Sequence, residues 1–260
     1  MNTSLLTSRE GRLMRLTLNR PERRNALNMD LCRQLLSAIH AAAADPDVGA
    51  VFLDASGSSF CAGMDLAEVL QADEDELLTL HLDLFTIGTH IDKPILAAVQ
   101  GPAMAGALGL LANVHVVVAS SSATFALTER RVGLWPYAIF HALSAAVGKR
   151  RATELSLTAR TLTAEEALRI GLIDIIVPAG ELAKQAHAIA TDVATGSASA
   201  LFHGLAFVRQ DESLDSESAA TLASEYRKRS LHSADFREGV KAFLEKREPV
   251  WPSHQSPQKT

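Results

Sequence analysis

The sequence has few of the residues that mark several large classes of protein. Two cysteines, Cys32 and Cys61, occur in 260 residues, which excludes a disulfide framework and favours a reducing compartment. The formal net charge is −5, so we expect no nucleic-acid partner and no basic patch for a membrane surface. No apolar run reaches the ~18 residues of a membrane span, and the chain opens without a basic-then-apolar leader pattern. We therefore expect a cytoplasmic protein with no membrane partner.

Apolar residues are nevertheless plentiful. They make up 47% of the chain against 21% charged residues, which is enough for one sizeable core. Strand and helix patterns alternate to about residue 180, and only helical patterns follow. This order predicts an α/β fold with a helical C-terminal region. We expect a core over residues 1–195, a helical region over 196–250 and a disordered tail over 251–260.

Two turns rich in small residues each follow a short buried strand and open a helix. The first, Ser56–Asp65, follows the strand pattern of Ala50–Asp54, and the second lies within Lys93–Gly109. Glycine in a helix costs about 1 kcal/mol relative to alanine, so such turns need a physical reason. Either a ligand approaches bare backbone at the helix start, or helix and strand pack closely. The turns alone leave both readings open.

Four segments together carry a family resemblance. Asn19–Asn28, Ser59–Asp65, Lys93–Gly109 and Leu162–Val177, in this order and spacing, resemble the crotonase (enoyl-CoA hydratase/isomerase) superfamily. The resemblance implies a spiral of repeated β-β-α units with C-terminal helices that build a homotrimer or a hexamer (a dimer of trimers). It also implies an acyl-CoA thioester substrate and no metal or redox cofactor, since coenzyme A enters as part of the substrate.

The same resemblance implies the catalytic groups. The backbone N–H groups of Met64 and Gly106 would hold the thioester oxygen while negative charge develops on it, and Glu129 would be the acid/base. The alternative interpretation of Met64 is a core methionine. The alternative for Glu129 is a surface glutamate that pairs with Arg130 or Arg131, and the match of the surrounding segment favours the catalytic role.

One position departs from the superfamily pattern. Hydratases of the superfamily carry two catalytic glutamates, and the first of the two positions is Gly109 here. Adding water to a double bond calls for two such groups, whereas shifting a double bond needs one base that takes a proton from C2 and returns it at C4. Glu129 alone suffices for the second task. We also predict that Gly109→Glu raises hydration, provided that the backbone tolerates a side chain.

These considerations favour an enoyl-CoA isomerase. One alternative is an enoyl-CoA hydratase with an atypical single-glutamate site. The other is a catalytically degraded acyl-CoA-binding protein that keeps the substrate groove.

Further residues match superfamily regions that contact coenzyme A. On the resemblance, the substrate-binding residues are Arg24, Ala26, Ala62 and Asp65, joined by Phe243 and Lys246 from a neighbouring subunit. Arg24 is equally consistent with a solvated surface arginine.

Aromatic bulk follows Glu129 in the segment Leu134–Phe140. It indicates either a shaped acyl pocket or part of the core. The histidines lack the spacing of a metal site, so we expect no metal.

Overall fold

The computed structural model describes residues 3–211 and 214–254. Its helices are α1 (Met29–Ala44), α2 (Leu66–Val69), α3 (Glu74–Leu84), α4 (Gly106–Ala112), α5 (Tyr137–Val147), α6 (Lys149–Thr158), α7 (Ala164–Arg169), α8 (Leu182–Thr195), α9 (Ala198–Asp211), α10 (Ser216–His232) and α11 (Ala234–Glu245). Its strands are β1 (Leu5–Glu10), β2 (Leu13–Leu18), β3 (Ala50–Ala55), β4 (Ile95–Val99), β5 (Ala103–Met104), β6 (Val116–Ser120), β7 (Thr124–Ala126), β8 (Leu162–Thr163) and β9 (Ile175–Val177).

The strands form two sheets that the chain visits alternately. The larger sheet has the order β1-β2-β3-β4-β6-β9, in which β1 and β2 are antiparallel and the later neighbours parallel. The smaller sheet has the order β5-β7-β8. The chain passes from β4 to β5 and α4, and then from β6 to β7 and α5, so each circuit adds a strand to both sheets and then a helix. This is the predicted spiral of β-β-α units, and the α/β class is confirmed.

The larger sheet is buried on both faces, as expected for mainly parallel strands. Leu16 and Leu18 of β2 face the main core, which α1 and α4 complete. Leu13 points to the opposite face, where Phe52 and Leu96 pack against α8. The period of two along β2 therefore matches its sequence pattern.

Local signals in the sequence set several helix boundaries. The Asn28 side chain accepts a hydrogen bond from the Leu31 N–H at 3.0 Å and caps α1. Thr163 and Glu166 form a capping box at the start of α7. The short helix α2 ends at Val69, and Asp73 caps a separate α3.

The C-terminal region consists of α9, α10 and α11, and a short 3-10 helix, Pro252–His254, packs beside them. The Ser253 N–H donates to Asp235 at 2.9 Å, and a His254 ring nitrogen lies 2.8 Å from the Gly196 carbonyl. Residues 251–254 are therefore held in place, which corrects the expected disorder there. The prediction of disorder also covered residues 255–260, which lie outside the described residues. Within 3–211 and 214–254, no helix is both long and apolar enough to cross a membrane.

Candidate active site

The turn after β3 leaves the backbone N–H of Met64 without an acceptor. Met64 forms an isolated parallel β-bridge with Leu27. In this bridge the residues before and after Met64, and not Met64 itself, make the hydrogen bonds to Leu27. The Leu27 N–H donates to the Gly63 carbonyl at 2.7 Å, and the Asp65 N–H donates to the Leu27 carbonyl at 2.9 Å. The Met64 N–H therefore points away from Leu27. It meets no hydrogen-bond acceptor in the part of the chain that the structure describes.

The turn after β4 brings Gly106 against this first turn. A Cβ built on Gly63 would lie 3.3 Å from the Gly106 nitrogen and 2.8 Å from the Ala105 Cβ. Gly63 also has a φ of +87°, so glycine is required there both by conformation and by space. The Met104 N–H donates to the Cys61 carbonyl at 2.9 Å and holds the two turns together. The two small-residue turns are thus in direct contact.

Ala105 is a strained residue that orients the second turn. Its φ of 53° and ψ of −122° lie in a region that non-glycine residues rarely adopt. The Ala105 N–H donates to the Ala126 carbonyl at 2.8 Å, which fixes this conformation. As the first residue of α4, Gly106 has no acceptor within the helix for its own N–H. Two free N–H groups on adjacent turns are the arrangement that an oxyanion hole requires.

Glu129 lies close to these turns along the smaller sheet. It opens the 3-10 helix Glu129–Val132, three residues after Ala126, the partner of Ala105. The residue is only 9% exposed, and its Oε2 has no hydrogen-bond partner among residues 3–211 and 214–254. Burial raises the pKa of the Glu129 carboxyl, against the opposing effect of a hydrogen bond from its own backbone N–H. A buried carboxyl group with a free oxygen is a candidate for proton transfer.

The alternative reading of Glu129 as part of a surface ion pair is wrong. The Arg130 guanidinium donates to the Thr158 carbonyl at 3.0 Å, and that of Arg131 donates to the Ala159 carbonyl at 2.7 Å. Both arginines therefore turn towards the end of α6 and away from the carboxyl group.

The predicted position of a first carboxylate is filled by hydrocarbon. A Cβ built on Gly109 would lie 2.3 Å from Cγ2 of Ile139 and 2.9 Å from Cδ1 of Phe85. Contacts this short do not occur between real atoms, so a side chain at 109 must displace its neighbours. Gly109 lies within α4 at a regular helical φ, and the obstacle is therefore its neighbours and not the backbone. The prediction that Gly109→Glu raises hydration therefore also requires Ile139 and Phe85 to move aside, and it stays a prediction.

Other groups near the turns are not suited to nucleophilic or metal chemistry. Burial raises the pKa of the Cys61 thiol to about 12, so it is not a thiolate. His81 is buried, its ring centroid lies 5.6 Å from that of Phe85, and burial lowers its pKa. Over residues 3–211 and 214–254, no group of three His, Cys, Asp or Glu side chains could hold a metal ion.

The candidate coenzyme A residues of the first loop form one connected structure. Arg20 donates to the Ala26 carbonyl at 2.6 Å and pairs with the Asp65 carboxylate at 3.0 Å. The Ala62 N–H donates to the Arg24 carbonyl at 2.9 Å, while the Arg24 side chain is exposed. The structure therefore brings Arg24, Ala26, Ala62 and Asp65 together beside Met64, with Asp65 already engaged by Arg20.

The two candidates from the C-terminal region lie elsewhere in the chain. Phe243 and Lys246 belong to α11 and its C-terminal cap, and α11 packs against α10 and the turn at 252–254. Phe243 is 82% exposed. Within one chain these residues are not brought together with Glu129.

Sequence reasoning missed three residues that shape the site, namely Phe85, Ala105 and Ile139. The sequence shows that Leu134–Phe140 is rich in large side chains, but not which of them reaches the site. In the structure Tyr137 is 78% exposed, and the buried Ile139 contacts α4. The usable signal was Gly109 itself, because a glycine inside a helix often marks the close approach of another element. Which side chain approaches could not be found from sequence spacing.

Comparison with known proteins gives a consistent result. The family model described as "Enoyl-CoA hydratase/isomerase" matches residues 8–254. "Probable enoyl-CoA hydratase echA8" of Mycobacterium bovis is 35% identical over 254 residues, which cover 95% of this chain and 96% of that protein. "Enoyl-CoA hydratase EchA19" of Mycobacterium tuberculosis is 32% identical over 251 residues, 94% of each chain.

Among solved structures, an enoyl-CoA hydratase of Mycobacterium smegmatis superposes with a TM-score of 0.90 at 32% identity, covering 96% of this chain and 99% of that one. The human enoyl-CoA hydratase domain-containing protein 3 gives 0.89 at 29% identity, with 95% and 100% covered. The family match spans nearly the whole chain, and the structural match spans the whole spiral. The chain is therefore an acyl-CoA enzyme that belongs to the enoyl-CoA hydratase/isomerase family of the crotonase superfamily.

Proposed function

We propose that this enzyme shifts the double bond of an enoyl-CoA, with Glu129 as its single acid/base. The observation that carries the proposal is Glu129 itself, a buried carboxyl group with one oxygen that has no partner among residues 3–211 and 214–254. Glu129 follows β7, the strand that pairs directly with β5, which precedes Gly106. Gly109, the other expected carboxylate position, supplies no second carboxylate and is enclosed by hydrocarbon. One base and an oxyanion hole are sufficient for a proton shift between two carbons.

The proposed reaction balances without a co-reactant. Glu129 takes a proton from C2 of a 3-enoyl-CoA, and the C2–H electron pair forms a C1–C2 double bond as the carbonyl π pair moves onto the thioester oxygen. The N–H groups of Met64 and Gly106 donate to that oxygen, each contributing about 2.7–4 kcal/mol by analogy with acyl transfer. The carbonyl then re-forms, the C1–C2 pair becomes the C2–C3 double bond, and the C3–C4 π pair takes the proton from Glu129 at C4. The product is the conjugated 2-enoyl-CoA, and no cofactor beyond the substrate's own coenzyme A is required.

Burial of Glu129 suits this role. The raised pKa of its carboxyl group makes the carboxylate a stronger base than a solvated glutamate. A base whose pKa lies closer to the working pH can both accept and return a proton. The free Oε2 is the atom to which we assign the proton.

A second candidate function is hydration by an atypical single-glutamate site. The names of the two Mycobacterium relatives favour it, since both read enoyl-CoA hydratase. The apolar surroundings of Gly109 argue against it, because a reacting water needs hydrogen-bond partners that Ile139 and Phe85 do not offer.

We further propose that the coenzyme A moiety lies along the loop that carries Arg24, Ala26 and Ala62. The exposed Arg24 is available for a phosphate, and Asp65 positions the loop through its pair with Arg20. Phe243 and Lys246 would approach the coenzyme A of a neighbouring subunit, since they are remote from Glu129 in their own chain.

This arrangement requires a homotrimer or a dimer of trimers. Large apolar side chains are exposed along the C-terminal helices, in particular Phe202, Val208, Phe236, Phe243 and Leu244. Exposed patches of this kind mark interaction surfaces. Light scattering at micromolar concentration tests the assembly, and a monomer would contradict both the oligomer and the shared substrate site. The cytoplasmic compartment also stays a proposal, because a relative from Danio rerio is named as mitochondrial.

The reaction itself is tested by offering a 2-enoyl-CoA and a 3-enoyl-CoA in parallel and identifying the products by mass and retention. We expect the 3-enoyl-CoA to give the 2-enoyl-CoA with unchanged mass. Rapid gain of one water by the 2-enoyl-CoA, without isomerisation, would contradict the proposal. Glu129→Gln serves as the inactive control for both substrates.

A further inference from the structure

The space beside Gly109 is closed by a three-way contact. Ile139 of α5 is buried, and its Cγ2 occupies the space that a side chain at Gly109 would need. Cδ1 of Phe85, which follows α3, lies 2.9 Å from the same Cβ position. Three different helical segments therefore meet at one point beside the candidate oxyanion hole.

Asn113 fixes this contact from behind. Its Nδ2 donates to the Phe85 carbonyl at 2.5 Å and to the Gly109 carbonyl at 2.8 Å, and the side chain is buried. One amide group thus ties the end of α3 to α4. Phe85 is held against Gly109 by this double hydrogen bond, and Ile139 packs into the remaining space.

We propose that Ile139, backed by Phe85, determines the reaction specificity of this enzyme by filling the space that a second carboxylate and its water would occupy. This inference rests on the proposed function and assigns the residues that exclude water from it. A buried water makes about three hydrogen bonds to polar groups, and these two side chains provide none. While the substrate is bound, the proton held by Glu129 is returned to the substrate, and it exchanges with solvent between turnovers. Gly109 is glycine because Ile139 leaves no room for a Cβ.

The first test measures water access without adding any side chain. A 3-enoyl-CoA with deuterium at both C2 positions is converted in ordinary water, and the deuterium that reaches C4 of the product, beyond the one that stays at C2, is measured by mass spectrometry. We expect the parent to retain part of the label and Ile139→Ala to retain several-fold less, because the opened space admits water. Equal retention in the two proteins would overturn the inference.

The second test rebuilds the missing carboxylate. Gly109→Glu is combined with Ile139→Gly, and the matched control combines Gly109→Gln with Ile139→Gly. Only the glutamate variant can act as an acid/base at this position, so we expect it to hydrate a 2-enoyl-CoA about 100-fold or more faster than the glutamine control. Equal hydration rates would overturn the inference. So would a folded Gly109→Glu single variant that hydrates as fast as the double variant.

A separate readout distinguishes failure of this inference from failure of the proposed function. Exchange of the C2 hydrogens of a saturated acyl-CoA in D2O needs Glu129 and the oxyanion groups, but neither water addition nor a double bond. Variants that retain this exchange are folded and form the enolate. If the variant that combines Gly109→Glu with Ile139→Gly exchanges but does not hydrate, the result counts against the proposed role of Ile139 and not against the proposed function. A parent that exchanges but does not isomerise rejects the proposed function, and the hydration comparison still decides the role of Ile139.

Discussion

The two walls of the active site at which carboxylates are expected are built in opposite ways. One wall holds Glu129, an ionisable group buried with an oxygen that has no partner in the described part of the chain. The other holds Gly109 under the apolar side chains of Ile139 and Phe85. We call them the Glu129 wall and the Gly109 wall. The Glu129 wall loses stability by burying an ionisable group, whereas the Gly109 wall gains stability from apolar packing.

On the proposed function, the difference is how one fold would separate two reactions. Both walls belong to the same spiral, and the turns that carry Met64 and Gly106 are shared by them. In that proposal the backbone stabilises the enolate, while side chains decide between moving a proton and adding water. Four predictions test each wall separately.

The largest effect is expected for Glu129→Gln. Because no other carboxylate stands at a proposed catalytic position, turnover should fall by about 10²–10⁴-fold. Affinity for a coenzyme A ester should change little, since the amide keeps the shape of the carboxyl group. Steady-state kinetics and calorimetric binding measure the two quantities. Glu181→Gln, at an exposed glutamate, is the matched control, and a Glu129 variant with most of its activity would remove this residue from the mechanism.

The next effect concerns the pH dependence of kcat/KM. Burial raises the pKa of Glu129, and the residue must be ionised to accept a proton. As pH falls through this raised pKa, kcat/KM should drop about tenfold per pH unit. The acid limb should therefore lie above the 4.5 of an ordinary glutamate. A pH profile of the parent gives its position, and a limb at or below the ordinary value would contradict the burial argument.

Much of the Glu129 wall could be predicted from the sequence. Glu129, Met64 and Gly106 stand in short segments whose order and spacing follow the superfamily, and backbone groups in a turn depend little on side-chain identity. The structure adds the direct contact of the two turns through Gly63 and the strain at Ala105. Sequence patterns do not show such convergence, because it depends on the pairing of β5 with β7.

The Gly109 wall could not be predicted in the same way. The sequence showed that a carboxylate is missing at 109, but not what replaces it. Ile139 lies thirty positions further on, and its contact with Gly109 depends on how α4 and α5 cross, which is a matter of packing geometry. Gly109→Glu therefore agrees with the sequence pattern, whereas in the structure it requires Ile139 and Phe85 to move.

Packing at the Gly109 wall is tested by a double-mutant cycle. Gly109→Ala should destabilise the protein by about 1–3 kcal/mol through overpacking, and Ile139→Gly by about 2–5 kcal/mol through the cavity it leaves. In the double variant the new methyl group fills part of that cavity. The combined loss should therefore be smaller than the sum by about 0.5–3 kcal/mol. Urea unfolding at one fixed protein concentration measures each free energy.

Gly204→Ala is the matched control for this cycle. Gly204 is also helical, in α9, and a Cβ there would meet nothing within 4 Å. Alanine should stabilise this position by about 0.5–1 kcal/mol, the opposite sign to Gly109→Ala. Additive losses at Gly109 and Ile139 would show that the two residues do not share the space.

The smallest expected effect is the change in the free energy of unfolding caused by Glu129→Gln. It tests how much stability the protein loses by burying the Glu129 carboxylate. A glutamate whose pKa is raised by folding contributes stability that is fully present below its unfolded pKa and is lost as pH rises through the folded value. Glutamine does not titrate. The parent and the variant should therefore be similarly stable at acid pH, while at neutral pH the variant should be the more stable. Each unit of pKa difference corresponds to about 1.4 kcal/mol.

Glu238→Gln provides a control of opposite sign for this last prediction. Hydrogen bonds from Arg247 lower the pKa of Glu238 to about 2, so its carboxylate is favoured by the folded state. Glu238→Gln should therefore lower the free energy of unfolding at neutral pH, and this loss should shrink as the pH falls towards the pKa of Glu238. Unfolding curves of parent and both variants at acid and neutral pH measure the two trends. If Glu129→Gln were less stable than the parent at neutral pH, the carboxylate would have a stabilising partner, and the Glu129 wall would not be the strained side of the site.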